Sequence, residues 1–163
     1  MKEKKSVLVV DDDKVVLNGF KQTLESEGYT VDTAETGKEA IEKSNKAIYN
    51  LALIDIRLPD MEGTQLVSAM RAGVPKMVKI IVTGYPSQEN AIEAVNKGVD
   101  AYLIKPVLNT DEFLRTIKEH LRKQQEAITY GEEKVKQFIE ARAEEHEARG
   151  AAHKRRTKGK RKK

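Results

Sequence analysis

The sequence predicts an α/β protein: a doubly wound, five-stranded parallel sheet with helices on both faces, followed by a C-terminal helical extension. Three observations carry this. Short runs rich in Val, Leu and Ile recur five times, at residues 6–10, 29–33, 51–54, 79–82 and 101–104. Most do not alternate with polar residues, which is the pattern of strands buried on both faces. Helical patterns separate the runs, and such alternation selects right-handed crossovers and a parallel sheet.

Taken in order, the first run leads into Val16, Leu17, Phe20 and Leu24 at helical spacing, with Gly28 as the stop. Thr36 stands before a helix over residues 37–46 that turns Ala40 and Ile41 inward. Gly63 precedes Leu66, Val67 and Met70. Ser87 caps a helix carrying Ala91, Ala94 and Val95 that ends at Gly98. After Asp111 no strand candidate returns. Leu114, Leu121, Ile128 and Val135 fall seven apart, and Ile117 and Phe138 share a second stripe, with Gln124 and Gly131 as poor seam residues. Thr129 and Glu132 match a capping box, so a helix break is expected near Gly131. The expected organisation is a domain over residues 1–125, a helical extension over 126–150 and a disordered basic tail over 151–163.

The chain has 163 residues and a formal charge of +4, but eight cations lie in its last ten residues, which leaves −4 for the remainder. The basic balance therefore belongs to the tail and not to the fold. There is no cysteine, which removes a disulfide scaffold, a thiolate zinc site and a Cys nucleophile. A mean hydropathy of −0.61, with no apolar run near the ~20 residues of a membrane span, gives the expectation of a cytoplasmic protein. His120, His146 and His153 show no metal-ligand spacing.

The chemistry lies at the ends of the runs. The first ends in Asp11-Asp12-Asp13 and the third in Asp55. In a parallel sheet these ends share one edge, where ligands sit. Converging carboxylates repel unless a cation joins them, and hard oxygen ligands suit Mg²⁺. The fourth run ends in Thr83 and the fifth in Lys105-Pro106. Carboxylates, a divalent cation, a hydroxyl and an ammonium together make a site for a phosphoryl group, with a carboxylate able to act as nucleophile.

On Val7-Leu8-Val9-Val10-Asp11-Asp12-Asp13, Leu53-Ile54-Asp55-Ile56-Arg57-Leu58-Pro59-Asp60-Met61-Glu62-Gly63, Ile80-Ile81-Val82-Thr83-Gly84 and Ala101-Tyr102-Leu103-Ile104-Lys105-Pro106, the chain resembles the response-regulator receiver family of two-component signalling. The resemblance covers about residues 4–125. It implies a flavodoxin-like (βα)5 sandwich with strand order 2-1-3-4-5. It implies Asp55 as phosphoacceptor and Asp11, Asp12, Asp55 and the backbone carbonyl of Arg57 as Mg²⁺ ligands. Thr83 and Lys105 would engage the phosphoryl group, Thr83 and Tyr102 would form the switch, and Pro106 would follow a cis peptide bond. Asp13 has no role in the family and reads as a helix N-terminal acid.

The implied protein is no enzyme toward outside substrates. It takes a phosphoryl group from a sensor histidine kinase or a histidine phosphotransfer protein and loses it again by autodephosphorylation. Its output is expected through a downstream protein partner, because the residues after Gln125 offer no helix-turn-helix pattern and no sequence-specific DNA contact. The basic tail could hold nucleic acid or an acidic surface weakly through its charge, and the seven-residue stripe allows a homodimer. Two alternatives stand beside this. A Mg²⁺-dependent phosphohydrolase would use Asp55 as transient nucleophile, but Arg57 stands where its acid/base carboxylate is needed. A phosphorylation-independent scaffold would leave the acidic pocket vestigial.

Overall fold

The computed structural model describes residues 3–70, 73 and 76–161. The elements are β1 (Ser6–Val10), α1 (Lys14–Ser26), β2 (Thr30–Ala34), α2 (Gly37–Lys46), β3 (Leu51–Ile54), α3 (Gly63–Ala69), β4 (Val78–Thr83), α4 (Gln88–Asn96), β5 (Ala101–Ile104) and α5 (Thr110–Arg161). The strands form one parallel sheet in the order β2-β1-β3-β4-β5, the order the family resemblance implies. Three of the five runs match their strands residue for residue. The other two differ by one residue at each end: the run 29–33 starts and stops one residue before β2, and 79–82 lies one residue inside each end of β4.

The side-chain period of two along a strand divides the core into two layers. Val7, Val9, Leu51, Leu53, Ile80 and Val82 point to one face and pack with Leu17 and Leu24 of α1 and Phe113, Ile117 and Leu121 of α5. Leu8, Val10, Ala52, Ile54 and Ile81 point to the other and meet Ala40, Leu66, Val67 and Ala94 of the three remaining helices. The edge strand β2 alternates in burial instead, with Val31 buried and Asp32 exposed. Of the residues expected on the inner stripe of α4, Ala94 is buried and Val95 is 72% exposed. A nine-residue helix presents a narrow inner stripe, and Ala94 occupies it.

The helix ends follow the sequence signals. The Asp13 carboxylate accepts from the Val15 and Val16 N–H groups, so this acid is the N-cap of α1. Thr36 Oγ1 accepts from Glu39 N at 3.1 Å, and Ser87 Oγ from Asn90 N at 3.1 Å. Gly28 and Gly98 have φ of +93° and +78°, the left-handed conformation that glycine adopts without a Cβ clash.

The chain divides into two units, Met1–Gln124 and Gln125–Lys163. Within the first, Gln124 overturns its reading as a failed seam residue. It is buried, and its Nε2 donates to the carbonyls of Asn50 at 2.9 Å and Lys76 at 2.8 Å. Asn50 Oδ1 in turn accepts from the N–H of Ser6 at 2.9 Å. A polar side chain at that helix position ties α5 to the N-terminal ends of the neighbouring strands. Gln124→Leu should cost about 1–2 kcal/mol, the worth of three side-chain hydrogen bonds, the third from Asn50 Nδ2 to Gln124 Oε1, offset by the gain in apolar burial. A urea midpoint unchanged within error would show that the clamp contributes nothing.

In the second unit two expectations are corrected. No break occurs near Gly131: the helix continues through Thr129 and Glu132. One interior Gly costs about 1 kcal/mol, too little against flanking runs of Glu, Lys, Gln and Ala. Residues 151–161, expected to be disordered, are also helical. Ala, Lys and Arg are strong helix formers, and cations suit the C-terminal end of the helix dipole. Lys162 and Lys163 lie outside the described residues. Val135, Phe138 and Ile139 are exposed on this helix. Among the described residues, no helix is long and apolar enough to cross a membrane.

Candidate functional site

The site forms because the ladder holds the first residue after each of two adjacent strands. Asp11 N donates to Ala34 O at 3.1 Å, and Asp55 N donates to Val10 O at 3.0 Å. Both carboxylates thus emerge at the C-terminal edge beside β1, where the strand order reverses. Asp11 and Asp55 are 3% and 7% exposed, whereas Asp12 is exposed. One carboxylate oxygen from each of the three lies within 4.8 Å of the others. Thr83 ends β4, and Lys105 N donates to Thr83 O at 2.8 Å, which sets the lysine next to the threonine on the same edge. The sheet therefore assembles Asp11, Asp12, Asp55, Thr83 and Lys105 as the sequence expects. The Lys105–Pro106 peptide bond is cis.

Lys105 Nζ pairs with Asp11 Oδ2 and, at 3.2 Å, with Asp55 Oδ2. Burial pushes the Asp11 carboxyl above its usual range, against the hydrogen bonds from Lys105 and from the Asp13 N–H that favour its charged form. Burial pulls the Lys105 ammonium down, but the hydrogen bond and charge of Asp11, with the charge of Asp55, outweigh it and raise its pKa. Three carboxylates and one ammonium leave a formal excess of two negative charges. Asp55 Oδ1 is buried and has no hydrogen-bond partner. An orphaned carboxylate oxygen costs free energy that a cation or a hydrogen-bond donor would recover. Those three carboxylates fit a small hard divalent ion.

Thr83 is fully buried, and its Oγ1 accepts from Tyr85 N at 3.1 Å, so its proton is free to be donated. Tyr102 is half-buried against the second core layer, and its hydroxyl donates to Asn90 Oδ1. The sequence reading missed Asn90. The same Oδ1 accepts from Ser87 N at 3.2 Å, and its Nδ2 donates to Tyr85 O at 3.1 Å. Asn90 thereby links Tyr102 to the loop after Thr83. Its only sequence signal is the third helical position after Ser87.

Arg57 was expected to act through its carbonyl alone. Its backbone forms an isolated antiparallel bridge with Glu62, and its guanidinium stacks 4.0 Å from the centroid of the Tyr85 ring. The loop from β3 closes through Gly63. Gly63 N donates to Ile56 O at 2.7 Å, and a Cβ at Gly63 would stand 2.2 Å from Asp55 O. No side chain fits there without moving the Asp55 backbone. Asp60 accepts from the Gly37 and Lys38 N–H groups at 2.8 and 2.9 Å, which pins the same loop to the start of α2 and lowers the Asp60 pKa.

Solved receiver domains are among the structures that this chain resembles. A CheY-like receiver domain protein from Methanospirillum hungatei is 47% identical, with a TM-score of 0.73, over 77% of this chain and 99% of that one. A Burkholderia pseudomallei response regulator, solved with a phosphorylated aspartic acid, a calcium ion and citrate, is 28% identical. Its TM-score is 0.66, over 76% of this chain and 72% of that one. Among curated proteins, the transcriptional regulatory protein ZraR of Escherichia coli is 35% identical over 71% of this chain. The alginate biosynthesis regulator AlgB of Pseudomonas syringae is 33% identical over 69% of it. The chain spans about a quarter of the length of these two regulators, 26% and 25%. The family model for the response regulator receiver domain matches residues 7–118, and with the sheet order and the acidic edge in agreement, the chain belongs to that family of two-component signalling domains.

Proposed function

We propose that Asp55 accepts a phosphoryl group from the phosphohistidine of a sensor kinase or phosphotransfer protein, in a Mg²⁺-dependent reaction that changes the protein's partner preference. The observation that carries this is the buried, unpartnered Asp55 Oδ1, whose sister oxygen is held by Lys105. One carboxylate oxygen is oriented by an ammonium and the other is left without a donor. Asp11, Asp12, Asp55 and the carbonyl of Arg57 would hold Mg²⁺, which when bound offsets negative charge on the transferred group. Lys105 supplies a second positive charge to the phosphoryl oxygens, and the Thr83 hydroxyl supplies a hydrogen-bond donor from the adjacent strand end. Withdrawal of Thr83 from Tyr85 N would loosen the loop that Asn90 joins to Tyr102. Exposed Ile92, Val95 and Ile104 offer an apolar surface for the downstream partner. Self-association through the C-terminal helix is supported by the exposed Val135, Phe138 and Ile139.

The test is the intact mass after incubation with acetyl phosphate, with and without Mg²⁺, followed by a beryllofluoride binding measurement. A Mg²⁺-dependent gain of one phosphoryl group is expected. Failure of both measurements would remove the phosphoacceptor reading and favour a scaffold.

A further inference from the structure

We propose that the C-terminal end of α5 binds the phosphate backbone of double-stranded nucleic acid without sequence preference. The proposal stands on the charge and helicity of this segment and is independent of phosphorylation at Asp55.

Arg149, Lys154, Arg155, Arg156 and Lys158 are all exposed on the helix. Among the described residues, no carboxylate pairs with any of them, while the upstream Arg142 pairs with Glu145 at 3.7 Å. In the sequence no acid follows Glu147, and Lys160, Arg161, Lys162 and Lys163 continue the run. A helix advances about 100° per residue, so Lys154, Arg155 and Arg156 point in three directions and Lys158 returns to the side of Lys154. The cation is not confined to one face. Like charges four residues apart disfavour a lone helix, so a helical segment of this composition is matched to a dense array of anions.

Three polyanions have this chemistry, and two fit poorly. An acidic membrane holds a helix by a bulky apolar face, yet the only apolar side chains over residues 149–161 are Ala151 and Ala152. Single strands are held by stacking on aromatic rings, and no Phe, Tyr or Trp follows Phe138. A duplex offers a major groove about 12 Å wide that admits one helix between two walls of phosphate. A helix with cations on all sides meets both walls. Without Asn, Gln or a carboxylate after Glu147, the segment has few means to read bases beyond its cations, so its contacts are to the backbone.

The experiment is fluorescence anisotropy of the full chain with two labelled DNA duplexes of unrelated sequence, a single strand of equal length, and vesicles containing phosphatidylserine. Equal affinity for both duplexes is expected. Five to eight phosphate contacts give a log–log salt slope of about −4 to −7, a loss of roughly 10²–10⁴-fold between about 50 and about 200 mM salt. The triple variant Lys154→Gln, Arg155→Gln, Arg156→Gln should weaken binding at least tenfold and make the slope shallower by about 3. Replacing Arg155 and Arg156 by Lys should keep both. Far-UV circular dichroism checks that the triple variant stays helical. The proposal is overturned by no duplex binding at the lower salt, by an unchanged affinity in the triple variant, or by tighter binding to the vesicles or the single strand. A triple variant that loses helix yet binds as wild type would overturn it as well.

Discussion

Asp55→Asn abolishes the Mg²⁺-dependent gain of one phosphoryl group from acetyl phosphate and leaves the protein folded. The carboxamide keeps the size and shape of the side chain but loses the anionic nucleophile. Its neighbours survive: Lys105 keeps its pair with Asp11, and the Asp55 backbone contacts to Val10 and Gly63 do not depend on the side chain. Replacing a buried carboxylate that has one orphaned oxygen also relieves repulsion with Asp11, so the thermal midpoint should stay level or rise. The measurement is intact mass together with a thermal melt. A phosphoryl group retained by the variant would move the acceptor to another carboxylate, with Asp11 and Asp12 the first to examine.

Lys105→Met slows phosphorylation of Asp55 by about 10²–10³-fold, the usual loss when one pre-oriented charge is removed from a group-transfer site. Met matches the length of the lysine stem and removes only the ammonium. The variant leaves Asp11 and Asp55 buried and facing each other without a counter-charge, so its stability should fall in the absence of divalent ions. Mg²⁺ should then stabilise it more than the wild type, because an ion that binds only the folded state stabilises in proportion to its affinity, and a more negative pocket binds it more tightly. Melting curves against Mg²⁺ concentration test this alongside the phosphorylation rate. Equal Mg²⁺ shifts in both proteins would mean that the metal does not enter this pocket.

The two layers of the core and the composition of the acidic edge were legible because they follow from local pattern. Runs such as Leu51–Ile54 are apolar on both faces, which forces a central strand, and a residue placed just after such a run lands on one edge of a parallel sheet. Asp11, Asp55, Thr83 and Lys105 all follow from that rule and from the resemblance they carry.

What the sequence determined by itself is thus the parallel sheet and the identity of the groups on its edge, with the strand order implied by the family resemblance. Only the tertiary structure decided which carboxylate oxygen stays without a partner, that Gly63 lies against Asp55 O, that Arg57 stacks on Tyr85, and that Asn90 holds Tyr102. Gln124 belongs here too, since helical periodicity marks it as a defect and only the carbonyls of Asn50 and Lys76 give it a purpose. The physical reason is range. Strand and helix periods are written in consecutive residues, whereas these contacts join residues distant in sequence, and a polar side chain carries no sign of the partner it will meet. The helical residues 151–161 show the converse, because charge alone predicted a solvated coil there and the intrinsic helix propensity of Ala, Lys and Arg prevailed.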